Sequence, residues 1–159
     1  MVVVKHTKMN FEPHKEDFYR DHASKRNGYE NLERPKDPEL AMYWNKRYYL
    51  FSKFDRGVKI DDESWYSVTP EPMAKHIASR VDDQCSTEEI GSGGCNVLDA
   101  FCGVGGNLIQ FSRKCGFCVG SDMDPLKVQN AVHNLDIYNL QESKDFQVVH
   151  TDFLKLTNK

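Results

Sequence analysis

The sequence predicts an α/β fold built on a parallel sheet, and the alternation of segments after Cys95 carries the prediction. Three short, largely apolar stretches are typical of buried strands: NVLDAF (96–101), FCVGSD (117–122) and FQVVHTDF (146–153). The two stretches between them, GNLIQFSRKCG and DPLKVQNAVHNLDIYNL, have helical patterns. Strands that alternate with helices through tight connections form parallel sheets with right-handed crossovers. We therefore expect strand order 3-2-1, which is half of a Rossmann-like fold.

Local end signals support both helices of this half. Gly116 closes the first helix, and Asp124 caps the second, with Pro125 at its first helical position. The final stretch, LKLTNK, has the composition to begin a further helix. Residues 96–159 are thus predicted to form one structural unit.

The chain before this unit divides into three parts. Residues 1–36 are polar and without periodicity, which predicts a flexible arm. Residues 37–81 are predicted to form a helical extension, and the polar, glycine-rich residues 82–95 a surface loop.

Two helices are expected within the extension. The first begins at Asp37 as N-cap and ends at Gly57 in the left-handed conformation, with one face formed by Trp44, Tyr48 and Phe51. After VKIDDESWYSV, a short strand or loop, the second begins at Thr69 as cap. Its predicted buried stripe consists of Met73, Ile77 and Val81.

The totals fit one domain of 159 residues with a net charge of −3. The charge is uneven: residues 1–80 have a net charge of +2 and residues 81–159 have −5, and the basic residues concentrate in 41–59. No apolar stretch has the length of a signal-peptide core or a membrane span, so we expect an intracellular protein without membrane contact.

Five cysteines without regular spacing indicate reduced thiols. Cys115 and Cys118 form a C-x-x-C, but no second pair supplies the remaining ligands of a zinc ion. We interpret them as small core residues and expect no metal site.

The loop after the first predicted strand, DAFCGVGGN, has a carboxylate and three crowded glycines: Asp99, Gly103, Gly105 and Gly106. Such a loop binds ligands through bare backbone and the helix N-terminus. A dinucleotide such as NAD would require G-x-G-x-x-G, whose third glycine is missing, and Asp99 would repel its pyrophosphate. A ligand with an ammonium group and a sulfonium charge would be attracted, which favours S-adenosylmethionine.

Carboxylates also follow the other two strands. Asp122 is 19 positions beyond Gly103 at the tip of the second strand, where a carboxylate accepts hydrogen bonds from ribose hydroxyls. Asp152 could accept from the adenine amino group, with Phe153 along the ring, or it could cap the next helix. Three polar strand tips together predict nucleoside binding.

The stretches YWNKRYYLFSKFDRGVKIDDESWYSVTPE, VLDAFCGVGGNLIQFS and GSDMDP closely resemble the trimethylguanosine synthase family, from about Leu40 to Phe153. The resemblance implies an S-adenosylmethionine-dependent methyltransferase fold. It also implies methylation at N2 of the 7-methylguanosine cap of small nuclear and nucleolar RNAs, to the 2,2,7-trimethyl form. Thr69 would cover the cofactor. Five residues would line its methionine end: Asp99, Phe101, Gly103, Gly105 and Asn107.

In this family the segment before the methyltransferase fold helps to build the cap pocket. The resemblance therefore assigns Phe51 to the cationic methylated guanine and Lys53 to the phosphates, as aromatic and basic side chains suit those groups. Met42 departs from the lysine that related proteins have there. The alternative is structural: Trp44, Tyr48 and Phe51 at helical spacing would form core.

The family's Ser-Pro-Pro-Trp motif, expected after a fourth strand, does not occur. Because NVLDAF is nearly continuously apolar, its second edge should be covered. We therefore expect the N-terminal part of a longer enzyme, with the catalytic residues beyond Lys159. Alternatives are a catalytically silent cofactor- or cap-binding chain, or a guanine-N2 methyltransferase for ribosomal or transfer RNA. Nuclear and cytoplasmic localisation would follow from the capped small RNA; no protein partner is assigned.

Overall fold

The computed structural model describes residues 38–86, 95–140 and 146–156. The predicted arm over residues 1–36 and the N-cap Asp37 lie outside the described residues.

The predicted sheet is confirmed. Strands β1 (Val97–Asp99), β2 (Cys118–Asp122) and β3 (Phe146–His150) are parallel and lie in the order β1-β2-β3. Asp99 is in register with Gly120, and Asp122 with His150, so the polar strand ends share one edge of the sheet. A Rossmann-like arrangement of this kind opens a ligand crevice at the carboxyl ends of its strands.

The crossover helices follow their sequence signals. The first, α5, extends over Gly106–Lys114, and the second, α6, extends over Pro125–Ile137. The Asp124 carboxylate accepts from Leu126 N at 2.8 Å, which confirms the predicted cap. A last short helix, α7, covers Phe153–Leu156.

The prediction of one continuous helix up to Gly57 is wrong. The chain forms α1 (Pro38–Asn45), α2 (Arg47–Leu50) and a 3₁₀ turn (Phe54–Arg56), with extended backbone at Phe51. Gly57 does adopt the left-handed conformation, with φ of 94°. The breaks allow both Phe51 and Phe54, each 2% exposed, to enter the core. Packing with residues distant in the sequence has overridden a local helical pattern.

The stretch 58–68 contains a helical turn, α3 (Ser64–Ser67), instead of a strand or loop. The Asp61 carboxylate sets its start, since Oδ1 accepts from Ser64 N and Oδ2 from Ser64 Oγ, at 3.0 and 2.6 Å. Asp61 therefore acts as the local cap that the sequence pattern did not reveal.

Helix α4 (Glu71–Ser86) begins after Pro70, as expected, and the predicted stripe is confirmed at Val81, which is buried, and at Ile77, which packs against the core. Met73 is 47% exposed, whereas Ala74, Ala78 and Val81 are buried, so the predicted stripe is wrong at Met73. Small side chains allow α4 to lie close against α5, with which it makes its main contact.

The C-terminal end of α4 corrects two further predictions. The helix reaches Ser86, so residues 82–86 of the predicted surface loop are helical, and residues 87–94 lie outside the described residues. Cys85 and Cys95 are joined in a disulfide, which corrects the prediction of reduced thiols for this pair. Cys102, Cys115 and Cys118 are free.

The aromatic residues of the extension form one cluster. The Trp44 ring lies edge-on to Phe54, with centroids 5.5 Å apart, and Phe54 lies 5.6 Å from Trp65. Tyr48 contacts Phe54 from another side, at 6.4 Å. The structural alternative for the aromatic face is confirmed, because these rings belong to the core or pack against it.

A buried amide ties the extension to the sheet unit. The fully buried Asn134 side chain of α6 exchanges hydrogen bonds of 2.8 Å with the backbone N and O of Lys59. It also donates to the Val104 carbonyl at 2.9 Å. One side chain therefore holds the extension against the glycine loop, which fixes how the two parts meet.

Within the three described ranges, no helix combines the length and apolar character that crossing a membrane requires.

Candidate functional site

The glycine loop joins the ends of β1 and β2. Gly103 N donates to Asp122 Oδ2 at 2.9 Å, and Cys102 N donates to Ser121 O at the same distance. Gly103 and Gly105 have φ of 51° and 90°, which side chains with a Cβ rarely adopt. The turn therefore requires glycine at these positions, and it brings bare backbone beside two carboxylates.

The segment before α4 packs onto the start of α5. A Cβ at Gly106 would lie 2.7 Å from Val68 Cγ2 and 3.3 Å from the Thr69 carbonyl. Glycine is needed here for close approach rather than for its backbone angle. This contact brings Thr69 to the first turn of α5, beside the loop that it was predicted to cover.

Asp99 is a half-buried carboxylate with one oxygen that lacks a partner. Its Oδ2 atom is buried and has no hydrogen-bond partner. Burial, together with the nearby charge of Asp122, raises the pKa of Asp99 from 3.8 to about 6, although a hydrogen bond from the Phe101 backbone N–H opposes the rise. An unpaired buried carboxylate oxygen is costly, which is typical of a group that a ligand completes.

A second unpaired acceptor lies in the same loop. The Oδ1 atom of Asn107, in the first turn of α5, is buried and has no partner. Among the described residues, Ser112 Oγ is the remaining side-chain atom in this condition. Two unpaired oxygens beside one glycine loop fit a ligand that donates hydrogen bonds and bears positive charge, as the ammonium group of S-adenosylmethionine does.

Asp122 connects the strand tips. Its Oδ2 accepts from Gly103 N, and its Oδ1 accepts from Asp124 N at 3.0 Å. A carboxylate oxygen accepts more than one hydrogen bond, so both atoms retain capacity for ribose hydroxyls. Asp122 therefore has a structural role that the sequence did not reveal, and its role toward the ribose stays a prediction.

Asp152 caps α7, which is the second of the two roles that the sequence allowed for it. Its Oδ1 accepts from Leu154 N at 3.0 Å, and its Oδ2 lies 3.9 Å from Lys155 Nζ. Nearby, the Phe101 and Phe153 rings meet edge to face with centroids 5.9 Å apart, and Phe101 is 73% exposed. An aromatic pair with one exposed and one half-buried ring at the strand ends is suited to cover a flat base.

Comparison with known proteins places this site in a family. Residues 95–159 match the RNA cap guanine-N2 methyltransferase family. The trimethylguanosine synthase of Schizosaccharomyces pombe is 46% identical over 110 residues, covering 69% of this chain and 43% of that protein. The trimethylguanosine synthase of Saccharomyces cerevisiae is 34% identical over 108 residues, covering 67% and 32%. The predicted family is confirmed, and the chain spans less than half the length of these curated relatives.

A solved structure supports the fold. The crystal structure of a putative methyltransferase from Porphyromonas gingivalis W83 matches with a TM-score of 0.54 at 16% identity, covering 73% of this chain and 27% of that one. Together with the three-stranded parallel sheet, this confirms the predicted Rossmann-like methyltransferase fold.

The two residues that the family resemblance assigned to the cap lie beside the end of α6. Phe51 is 2% exposed and packs against Tyr138, with centroids 6.4 Å apart. Lys53 Nζ donates to the Ile137 carbonyl in the last turn of α6, at 3.3 Å. The glycine loop contacts the same helix about one turn earlier, where Asn134 donates to the Val104 carbonyl at 2.9 Å. Both assignments to the cap stay predictions.

A buried carboxylate that sequence reasoning missed organises the region around Phe51. Glu71, at the start of α4, is 3% exposed and receives four hydrogen bonds. Its donors are the Ser52 N–H, the Ser52 hydroxyl, the Tyr138 hydroxyl and the Lys75 ammonium. In the sequence Glu71 has the appearance of an ordinary acidic residue in a first helical turn, and its partners lie up to 67 positions away.

No group of three or more His, Cys, Asp or Glu side chains within the described residues is arranged to bind a metal ion.

Proposed function

We propose that this chain is the cofactor-binding part of an S-adenosylmethionine-dependent RNA cap guanine-N2 methyltransferase. The substrate would be the 7-methylguanosine cap of small nuclear and nucleolar RNAs, and the product its 2,2,7-trimethyl form. The observation that carries the proposal is the unpaired, buried Oδ2 of Asp99 beside the glycine loop. The similarity to two trimethylguanosine synthases supports the choice of substrate.

Asp99 would receive the ammonium group of the cofactor. A cation next to this carboxylate would lower its pKa and replace the hydrogen bonds that Oδ2 lost on burial. A pyrophosphate at the same place would add negative charge beside Asp99 and Asp122, which disfavours NAD. The Asn107 carbonyl oxygen would accept a second hydrogen bond from the same end of the ligand.

The remaining residues would hold the cofactor along the three strand ends. Gly103 and Gly105 would allow close approach of the ligand to the backbone, and Asp122 would accept from the ribose hydroxyls. Phe101 and Phe153 would cover the flat base. Two further contacts complete the proposed set: Asp152 with the adenine amino group, and Thr69 over the methionine end.

The cofactor supplies an electrophilic methyl group on a sulfonium sulfur. The chain's own contribution would be to fix the position of that group and to exclude water around it. We assign no catalytic residue within the described ranges. Nuclear and cytoplasmic localisation would follow from the proposed RNA substrate.

Calorimetry on the full 159-residue chain tests the cofactor. We expect S-adenosylhomocysteine to bind and NAD not to bind, and Asp99→Asn to abolish binding while the chain remains folded by circular dichroism. Binding of NAD alone, or unchanged affinity in Asp99→Asn, would refute the cofactor assignment.

A transfer assay tests the substrate and separates the alternatives. Radiolabelled S-adenosylmethionine is supplied with 7-methylguanosine-capped RNA, with guanosine-capped RNA and with uncapped RNA. Transfer to the 7-methylguanosine-capped RNA alone supports cap methylation, whereas transfer to uncapped RNA supports a ribosomal or transfer RNA methyltransferase. Cofactor binding without transfer to any of the three is the result expected of this chain alone, because its catalytic residues are predicted to lie beyond Lys159.

A further inference from the structure

Asn134 places a polar amide at a position of α6 where an apolar side chain would satisfy packing. It is 0% exposed, as are Ala131, one turn earlier, and Leu135, which follows it. Its Nδ2 donates to the Lys59 carbonyl at 2.8 Å and to the Val104 carbonyl at 2.9 Å, and its Oδ1 accepts from Lys59 N at 2.8 Å. Both donors are used and the side chain is fully buried, so Asn134 can influence a ligand only through the residues that it holds.

The first of these residues, Val104, lies at the centre of the glycine loop. Gly103 and Gly105 on either side of it have φ of 51° and 90°. Glycine backbone has access to many conformations, so a turn this rich in glycine does not keep one shape by itself. The peptide unit between Val104 and Gly105 is held from both ends, because its carbonyl accepts from Asn134 and its N–H donates to the Cys102 carbonyl at 2.9 Å.

The sheet and α6 hold different halves of this loop. The first half is fastened to the sheet, where Gly103 N donates to Asp122 Oδ2 at 2.9 Å. The second half lies on α6, since a Cβ at Gly105 would be 3.4 Å from the Ala131 Cα, and Asn134 supplies a hydrogen bond there. A ligand binds more tightly to a flexible turn when the surrounding structure already holds the turn in the bound conformation.

The second residue that Asn134 holds belongs to the extension. Lys59 donates its N–H to the amide and accepts from it through its carbonyl, so the two residues form a closed pair of hydrogen bonds. His133, the preceding residue of α6, binds the same stretch, because its Nε2 donates to the Gly57 carbonyl at 2.8 Å. His133 thus joins α6 to the extension, whereas Asn134 joins α6 to both the extension and the loop. Displacement of Lys59 would release the amide that holds Val104.

We propose that Asn134 is a positioning residue for the cofactor, which holds the glycine loop in its binding conformation and makes that conformation depend on the docked extension. The inference rests on the proposed function in taking S-adenosylmethionine as the ligand of the loop. It goes beyond that function by assigning part of the affinity to a residue that touches no ligand. By linkage, a cofactor that favours the held loop must also favour the docked extension.

Calorimetry of the full chain with S-adenosylhomocysteine tests the effect on affinity. Asn134→Asp keeps the size of the side chain and an acceptor for the Lys59 N–H, but it lacks the Nδ2 donors. We expect the affinity at pH 7.5 to fall about tenfold, because the fraction of chains with a held loop falls by that factor. A negative charge by itself would attract the ammonium end of the ligand, so a loss reports the change in the loop.

His133→Ala is the matched control. It removes a hydrogen bond between the same helix and the same stretch of the extension, but it leaves the pair between Lys59 and Asn134 intact. The affinity of this variant for S-adenosylhomocysteine should therefore equal that of the wild-type chain.

A spectroscopic measurement separates positioning from a general loss of stability. With isotope labelling of glycine alone, the amide signals of Gly103 and Gly105 should move in ligand-free Asn134→Asp and stay in place in His133→Ala. A role confined to stability would lower the urea midpoint of both variants without selecting these two signals.

If Asn134→Asp does not fold, hydrogen exchange in the wild-type chain provides the test. S-adenosylhomocysteine should slow exchange of the Lys59 N–H, which donates to Asn134. It should not slow exchange of the Ser64 N–H, which donates to Asp61 within the same extension. Equal slowing at both amides, or none at Lys59, would overturn the proposal.

Three results in the folded variants would also overturn it: wild-type affinity in Asn134→Asp, an equal loss in His133→Ala, or unmoved signals of Gly103 and Gly105. The outcome differs if the proposed function is what fails. In that case the wild-type chain binds no S-adenosylhomocysteine, and the ligand-free glycine signals still decide whether Asn134 holds the loop. Binding by the wild-type chain with no loss in Asn134→Asp refutes the positioning role alone.

Discussion

Glu71 is a buried carboxylate, Asp99 is a half-buried one with a buried Oδ2 atom, and their surroundings are opposite. Four donors complete Glu71, and these hydrogen bonds outweigh the effect of burial, so its pKa lies below 4.5. Asp99 has an oxygen without a partner, and burial dominates, so its pKa rises to about 6. Glu71 begins α4 and is 3% exposed, whereas Asp99 ends β1 and is less buried, so the depth of burial does not explain why the pKa of Asp99 is the one that rises.

The difference is the one expected between a structural carboxylate and a ligand-binding one. A completed network stabilises the fold that contains it, whereas an incomplete one costs folding free energy and is retained where a ligand supplies the missing partner. In this chain the completed network joins Ser52 to the start of α4 and to Tyr138 at the end of α6. The incomplete network lies at the strand ends. Removing each carboxylate should therefore change stability in opposite directions.

The largest expected effect is on Glu71. Glu71→Ala leaves the Tyr138 hydroxyl, the Ser52 N–H and the Lys75 ammonium without their acceptor, and should lower the free energy of unfolding by about 3–5 kcal/mol. Urea denaturation at pH 7 measures it. Lys155→Ala, an exposed charge removal on α7, is the control and should change little. A loss below about 1 kcal/mol would contradict the structural role.

Asp99→Asn should have the opposite effect on stability. A pKa of about 6 in place of 3.8 corresponds to about 3 kcal/mol, as one pKa unit is worth about 1.4 kcal/mol. Because the folded chain favours the protonated form, this contribution is lost as the pH rises from 3.8 through 6. The variant should therefore unfold at higher urea than wild type at pH 7.5, although it binds no S-adenosylhomocysteine. Destabilisation at pH 7.5 would show that Asp99 serves the fold.

Tyr138→Phe should cause a smaller loss, of about 1.5–3 kcal/mol, the range for a hydrogen bond to a charged group. The ring remains, so its packing on Phe51 and its contact with the Lys53 ammonium are retained, and the weak 3.4 Å hydrogen bond from Lys53 N to the hydroxyl is lost. A double-mutant cycle with Glu71→Ala checks the assignment. Additive losses would mean that the two side chains do not act through their 2.6 Å hydrogen bond.

The smallest effect is on the pH dependence of cofactor affinity. The ammonium group should bind the ionised form of Asp99, so affinity for S-adenosylhomocysteine should fall about tenfold between pH 7.5 and 5. Ionisation of Glu71 does not affect this pH range. Its contribution to the stability of the fold is present above pH 4.5 and is lost only as the pH falls through the lower pKa that Glu71 has in the folded chain. Calorimetry at several pH values measures the profile. A flat profile in the wild-type chain would exclude Asp99 as the ammonium partner.

The sequence by itself determined the sheet order, the glycine loop and the second crossover helix with its Asp124 cap. These features depend on strand periodicity, turn residues and caps, which act between neighbours along the chain. The carboxylates at the strand ends were predictable for the same reason, since parallel strands bring their carboxyl ends to one edge.

The tertiary structure alone decided the end of α2 before Phe51, the burial of Ala74 instead of Met73, and the surroundings of Glu71 and Asp99. Each depends on partners 19 to 85 positions away, such as Ser52 and Glu71 or Lys53 and Tyr138. The local sequence determines whether a helix has an apolar face and whether a turn contains a carboxylate. Whether that face is covered, and whether that carboxylate finds a donor, is set by which distant segments pack against it.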